Sequence, residues 1–286
     1  VTGVQTCALP ICDPMPQLTA REITAYACKA DKKQTAGWSH FYVEDTTVDY
    51  AGLLCDRCLD GEPLAYIIGE WDFYGLTFKV DRSVLNPRSD TERLCELVIE
   101  QAKERVSPRI LDLCCGSGCI GIAAAHTVED ARVTAIDLSD GALHITRENA
   151  RDLGVSSRLL TMKADVMHAP PRGLGQFDII VSNPPYVDEE DMDDLPSEYR
   201  HEPELGLASG SDGLKLTRRI LACAPDYLTD DGVLICEVGN SMVHLIEQYP
   251  DVPFTWLEFD NGGDGVFMLT KAQLLDAREH FSIYKD

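Results

Sequence analysis

The run Ile110-Leu-Asp-Leu-Cys-Cys-Gly-Ser-Gly118 reads as a β-strand that stops in a glycine-containing turn and opens a helix. Glycine lets the chain turn sharply and lets the backbone approach a ligand with no Cβ in the way. The full dinucleotide pattern G-x-G-x-x-G is absent, because Cys114 stands where a first glycine would. Alone, the run fits plain helix packing as well as ligand binding. The spacing to the next feature tips the balance. Asp137 closes the following strand about 20 residues on, where a carboxylate can accept from both ribose hydroxyls. Asp140 offers a local rival as a helix cap, yet turn and carboxylate together favour a nucleoside-bearing cofactor. Asp165, after the third strand, falls near the adenine edge of such a ligand.

Outward from this run the chain alternates strand and helix, the signature of a parallel sheet covered on both faces. Strands are expected at Ile110–Leu113, Arg132–Ile136, Arg158–Lys163, Asp178–Val181 and Gly232–Glu237. Helices are expected near Cys119–His126, Asp140–Leu153, Leu214–Tyr227 and Ser241–Tyr249. A closing hairpin, Phe254–Phe259 and Gly265–Leu269 about the turn Asp260-Asn-Gly-Gly-Asp264, makes the last strand antiparallel. This is the layout of the Rossmann-like methyltransferases. Upstream, Thr91–Glu104 reads as a helix and Trp71–Val80 as a hairpin about Gly75. Residues Leu18–Leu64 carry helical patterning, with Thr19 and Glu22 read as a capping box and a second helix through Val48, Leu53, Leu54 and Cys58. Val1–Cys12 has no helical or strand period, resembles a translated sequencing-adapter remnant, and is set aside from fold reasoning.

The chemistry is carried by Asp178-Ile-Ile-Val-Ser-Asn-Pro-Pro-Tyr186, an apolar strand ending in N-P-P-Y. Two successive prolines remove backbone donors and hold the chain extended. Their carbonyls and the Asn183 amide oxygen form an acceptor set suited to both hydrogens of a planar –NH2 group. Such a nitrogen is a poor nucleophile because its lone pair is delocalised. Holding both N–H bonds beside an in-line methyl sulfonium favours attack. Tyr186 is expected to lay its ring on the substrate's flat face. An Asn-Pro turn by itself is a common strand end; N-P-P-Y after a buried fourth strand is not. A third run, Val84-Leu-Asn-Pro-Arg-Ser-Asp-Thr-Glu92, places Arg88 and Glu92 to close a lid by hydrogen bonds over the pocket. Read on charge alone, it is equally a structural loop.

The 286 residues fit one large domain or two modest ones at roughly 150 residues each. The chain is 44% hydrophobic and 26% charged, an ordinary globular composition. Its net charge of −23 is less ordinary. Proteins that grip phosphate backbones need the opposite sign, so direct binding of duplex nucleic acid is not expected. Six carboxylates, Asp188, Glu189, Glu190, Asp191, Asp193 and Asp194, follow N-P-P-Y directly. At a docking surface they would favour a basic partner; otherwise they are a solvated loop. The longest apolar candidate, Ile110–Ala125, is broken by Asp112, Gly116, Gly118 and Gly121, so no membrane span is expected, and with no basic segment leading into an apolar stretch near residue 1 no secretory signal is expected either. Cys55 and Cys58 form a lone C-x-x-C read as two thiols on one helix, and the seven histidines are scattered, so no metal site is expected. Cys114, Cys115 and Cys119 read as small packing residues, and eleven cysteines fit a reducing cytoplasm.

With these motifs in hand, residues 18–286 resemble the HemK-type protein-(glutamine-N5) methyltransferases. That resemblance implies a small helical substrate-binding domain, 13–66, a hairpin linker, 67–84, and a Rossmann-like methyltransferase domain, 85–286. The last implies a mostly parallel seven-stranded sheet with an antiparallel last strand. It further implies S-adenosylmethionine as cofactor, held by Asp112, Cys114, Cys115, Gly116, Ser117, Gly118, Asp137, Asp165, Val166 and Asn183. The substrate glutamine falls to Asn183, Pro184, Pro185 and Tyr186, with Arg88 and Glu92 beside them. Asn86 and Ser89 depart mildly from the family pattern, which more often has an aliphatic residue and proline there. Up to about Val187 the chain is similar to enzymes that modify peptide-chain release factors, notably in GEWDFYGLTF, PRSDTE and DLCCGSGCIGIA. From Asp188 it resembles enzymes that modify large-subunit ribosomal protein L3, which makes it a mosaic of two subfamilies. The N-terminal likeness makes a release factor the first expected substrate and ribosomal protein L3 the alternative. Two rival classes stand beside these. One is amino-methylation of adenine or cytosine in nucleic acid, which the negative charge opposes. The other is a mosaic that binds cofactor or partner without turnover.

Overall fold

The sheet is laid down by strands whose inner residues are mostly apolar, as strands buried on both faces require. The computed structural model describes residues 16–30, 43–168, 173–189, 192, 201–257 and 265–285. Val1–Cys12, the turn 260–264 and four of the six clustered carboxylates (Glu190, Asp191, Asp193 and Asp194) lie outside the described residues. Five parallel strands, β3 (Arg109–Leu113), β4 (Arg132–Asp137), β5 (Leu159–Lys163), β6 (Phe177–Ser182) and β7 (Leu228–Glu237), follow in chain order. Two short strands, β8 (Thr255–Trp256) and β9 (Val266–Thr270), complete the order β5-β4-β3-β6-β7-β9-β8. β9 runs antiparallel to β7, as the closing hairpin predicts. β7 begins at Leu228, ahead of the expected Gly232, and β8 is shorter than the expected 254–259.

Helices α4 (Thr91–Lys103), α5 (Cys119–Thr127), α6 (Asp140–Asp152) and α7 (Lys215–Tyr227) flank the sheet. In α5, every residue from Cys119 to Ala125 is buried, which a helix tolerates only when it is apolar all round. One core joins α4 and α5 to the sheet through Leu94, Val98, Ile122, Ile179 and Ile235. The opposite face packs Ile220, Leu234, Phe267 and Phe281. At the antiparallel edge the Phe267 ring meets Phe254 and Trp256 edge-on, with centroids 5.0 and 5.5 Å away. α8 (Met242–Gln248) sits near its expected place, and two further helices, α9 (Lys271–Asp276) and α10 (Arg278–Phe281), extend the sequence reading. Ahead of α4, β1 (Glu70–Phe73) and β2 (Leu76–Lys79) form a separate two-stranded sheet. Its turn places Tyr74 and Gly75 at φ 49° and 72°, the left-handed pair that a two-residue hairpin loop requires.

The chain divides into two compact units, the smaller reaching to Glu70 and taking in His201. Its described helices are α1 (Pro16–Ala27), α2 (Asp45–Leu59) and α3 (Leu64–Ile68), packed about Ile23, Leu54 and Ile67. The expected Thr19–Glu22 capping box is not formed: α1 starts at Pro16, so Thr19 lies inside the helix. Proline suits the first helical position, where its missing N–H costs nothing. Cys55 and Cys58 both lie on α2. Among the described residues no helix is long and apolar enough to cross a membrane.

Candidate active site

β3 is the point from which strand order runs one way through β4 and β5 and the other way through β6 and β7. Ligands of open α/β sheets bind outside the carboxyl ends of the strands at such a switch. A cavity of about 470 Å³ lies there, within the roughly 300–1,000 Å³ of small-molecule sites. Of the expected residues it brings together Arg88, Cys114, Cys115, Gly116, Ser117, Asp137, Asp165, Val166, Asn183 and Pro185.

The floor is the turn after β3. Cys114, Gly116 and Gly118 have φ of 58°, 54° and 79°, so the turn winds left-handed at alternate residues. Cys114 is the one L side chain among the three and holds a conformation that favours glycine. A Cβ on Gly116 would meet no protein atom within 4 Å, consistent with its place on the cavity wall. The Gly116 N–H donates to Asp137 Oδ2 and the Ser139 N–H to Asp137 Oδ1, both at 2.9 Å. These bonds aim the carboxylate and leave each oxygen a further lone pair. Burial raises its pKa, against those two bonds. Asp165 accepts from the Met167 N–H at 2.9 Å and lies 2.9 Å from His168 Nδ1. The thiols behave as packing groups: burial pushes Cys114 and Cys115 well up, and Cys119 up to about 12.

Five expected site residues do not line the cavity: Glu92, Asp112, Gly118, Pro184 and Tyr186. Gly118 caps the N-terminus of α5 and Pro184 is buried. Asp112 points into the core beneath α5, where its Oδ2 accepts from the Gly121 N–H at 3.0 Å and its Oδ1 has no partner. Only small Gly121 permits this, because a Cβ there would sit 2.8 Å from Oδ2. Burial pushes Asp112 up to about 7. In the unfolded chain the group ionises near 4, so between about pH 4 and 7 the native state holds the extra proton. Stability therefore falls as pH rises through that window and levels off above it, by up to about 4 kcal/mol. Asp112→Asn keeps the acceptor for Gly121 and removes the proton. Denaturant midpoints from pH 5 to 8 should fall less steeply for the variant; parallel slopes would refute this account.

Arg88 and Glu92, expected together over the pocket, find separate partners. Arg88 Nη2 donates to both oxygens of Glu202, at 2.7 and 2.9 Å, and Glu202 is almost fully buried. Glu92 instead accepts from the Tyr74 N–H at 2.7 Å, satisfying a donor in the hairpin turn. Arg88 precedes α4, so its spacing to Glu92 is not a helical i, i+4 pair and gives the two no common face.

At the end of β6, Asn183 Nδ2 donates to Thr91 Oγ1 at 3.0 Å, and both residues line the cavity. The Tyr186 ring lies against Gly239 rather than on the cavity wall; a Cβ there would sit 2.6 Å from the ring. Its hydroxyl reaches Glu237 Oε1 at 3.3 Å, and its carbonyl accepts from Ser241 Oγ at 2.8 Å. Glu237 is buried and pushed up to about 7 by burial, against the stabilising pull of Thr91, Tyr186 and Asn183. Sequence reasoning missed Thr91, Glu237 and Gly239. Thr91 lay inside the PRSDTE run already singled out; nothing local marks the other two.

Residues 89–197 match the methyltransferase small domain family. The chain is 43% identical over 231 residues to a ribosomal protein uL3 glutamine methyltransferase from Francisella tularensis, covering 78% of this chain and 71% of that one. To the enzyme of the same name from Xanthomonas campestris it is 45% identical over 216 residues, covering 74% and 68%. Both stretches are longer than segment 188–286, so likeness to these enzymes is not confined to the C-terminal third. Both names specify uL3, the substrate expected second, and neither names a release factor. Among solved structures, the hMettl16 catalytic domain in complex with MAT2A 3'UTR hairpin 6 superposes with a TM-score of 0.52 at 17% identity, covering 79% of this chain and 81% of that one. At that identity the likeness shows the fold alone. With the sheet order, the switch-point cavity and these relatives together, the chain belongs to the HemK-type family of S-adenosylmethionine-dependent protein-glutamine methyltransferases.

Proposed function

We propose that this protein methylates the side-chain amide nitrogen of a glutamine in ribosomal protein uL3. The activity rests on one observation above the others: the Asn183 amide gives its Nδ2 to Thr91, which leaves Oδ1 as the acceptor for a substrate N–H. The choice of uL3 over a release factor rests on the names of the two relatives.

The cavity fits the cofactor. It combines an open glycine backbone at 116, an aimed carboxylate at Asp137 and the apolar Val166 wall beside Asp165. Asp137 would hold the ribose hydroxyls, the 114–118 turn the methionine portion, and Asp165 with Val166 the adenine. S-adenosylmethionine supplies an electrophilic methyl group on a sulfonium. The chain's part is to present the amide nitrogen. Asn183 Oδ1 and a carbonyl of the Pro184–Pro185 pair accept its two hydrogens, which turns the lone pair away from the substrate carbonyl. Tyr186, wedged on Gly239, keeps the N-P-P-Y turn in place from behind. No strong base is required of the cavity, because the alkylated nitrogen sheds its proton readily to water. Arg88 and Glu202 tie together two segments that line the cavity, 83–88 and 203–210. The acidic surface opposes a nucleic-acid substrate and suits a basic ribosomal protein.

The test is parallel incubation of the protein with methyl-labelled S-adenosylmethionine and isolated uL3, a release factor or undermethylated DNA. Label is expected in uL3. Label only in the release factor would reverse the choice of substrate, and label only in DNA would overturn the proposal.

A further inference from the structure

Asn183 can serve as an acceptor only if its amide is held one way round. A rotation of 180° about the last side-chain bond would present Nδ2, a donor, to a substrate that also donates. The backbone of N-P-P-Y does not decide between the two orientations. The side chain that engages Nδ2 is Thr91, from the first turn of α4, buried at 3.0 Å. A hydroxyl accepting from Asn183 needs somewhere to send its own proton, or it too can flip.

Glu237 stands at the end of β7, beside β6, where Ser182 pairs with Cys236 one residue earlier. Its side chain is buried, its Oε1 takes the Tyr186 hydroxyl at 3.3 Å, and its Oε2 has no hydrogen bond of its own. Thr91 and Asn183 both stand near enough to favour its charged form. An ionised carboxylate is an acceptor only, so neighbouring hydroxyls must point their hydrogens toward it. With the Thr91 hydrogen drawn that way, its lone pairs face Asn183 Nδ2.

We propose that Glu237 and Thr91 are positioning residues that lock the Asn183 amide with Oδ1 toward the substrate. The proposal rests on the reading of Asn183 as the amide acceptor and adds what fixes its orientation. Neither residue touches the reacting atoms. Protonating Glu237 converts it to a possible donor and releases the lock. The groups facing it are Asp90 and Thr91 at the start of α4, Asn183 and Tyr186 after β6, and neighbouring Cys236; β9 pairs apolar Val266 with it. Burial, with Asp90 adding to it, lifts Glu237 to about 7, so the lock is complete above neutrality and loosens below.

The experiment compares Thr91→Val, Thr91→Ser and Glu237→Gln with the unaltered full chain. Two readouts are used: turnover on uL3 at saturating cofactor, and the side-chain amide signals of Asn183 in the 15N-labelled protein, assigned with Asn183→Asp. Thr91→Val should lower kcat about 10- to 100-fold and make the Asn183 Nδ2 hydrogens exchange rapidly. Thr91→Ser should recover most of both. Glu237→Gln should lower kcat and abolish the fall in turnover below about pH 7. Three results would overturn the lock: an Asn183 amide signal unchanged by Thr91→Val, a Thr91→Ser protein as slow as Thr91→Val, or an acid limb that survives Glu237→Gln. A protein that methylates no glutamine, or in which Asn183→Ala turns over normally, would instead remove the reading of the site. The amide signals judge the lock even then.

Discussion

Asn183→Ala is expected to lower turnover on uL3 by about 10²- to 10³-fold while the protein still binds S-adenosylmethionine and melts at its usual temperature. The size follows from losing one preorganised hydrogen bond that matters most as the amide nitrogen begins to pyramidalise. Binding of cofactor should survive because Cys114–Ser117, Asp137, Asp165 and Val166, the cavity residues assigned to the cofactor, are left in place. Stability should change little, since the side chain is half-buried and bonds the Thr91 hydroxyl rather than the backbone. Alanine leaves room for water but no acceptor in a fixed place. Calorimetric titration with cofactor, thermal melts and single-turnover kinetics separate the three quantities. Unchanged turnover would mean that the amide is held by something other than Asn183.

Gly239→Ala is expected to act on the same turn from behind, and to damage both stability and turnover. Gly239 has φ 47°, and an added Cβ would sit 2.6 Å from the Tyr186 ring. The ring cannot retreat freely: its hydroxyl is engaged by Glu237, and Gly213 packs against the Tyr186 carbonyl so tightly that a Cβ would overlap it at 2.1 Å. The substitution therefore combines left-handed strain with displacement of N-P-P-Y. The expected loss is about 1–3 kcal/mol of stability. Turnover should fall about tenfold or more, since small misplacements at a reacting centre are costly. A fully active variant with an unshifted melt would show that Tyr186 has slack that the packing does not suggest.

The contrast between these residues and the ones visible in the sequence has a physical basis. The strand Ile110–Leu113 and the run into N-P-P-Y are legible because parallel strands buried on both faces are written as mostly apolar residues with a turn at the end. Asp137 is legible because its strand-end position follows from the βαβ spacing. Asp112 misleads for the same reason: it sits in the motif, but the pleat sends its side chain under α5 toward Gly121, away from the cavity. Side-chain direction within a strand is relative to the sheet, and a strand apolar on both faces gives no alternation to read it from. Arg88 is found, but its partner is 114 positions away at Glu202, a contact made only when two distant loops meet. Thr91, Glu237 and Gly239 share that difficulty. Their neighbours come from α4, β6 and β7, and only the strand order that inserts β6 between β3 and β7 brings them together. The helix start at Pro16 was hidden for a smaller reason: Thr19 and Glu22 satisfy the capping pattern while lying inside a helix already begun.

The central claim is that a glutamine side-chain nitrogen is the methyl acceptor, and tandem mass spectrometry of uL3 after incubation with the protein and S-adenosylmethionine tests it most directly. The account predicts one added methyl group, localised by fragmentation to the side-chain amide of a glutamine, and its absence with Asn183→Ala. A methyl group found on lysine or on a backbone amine would contradict it.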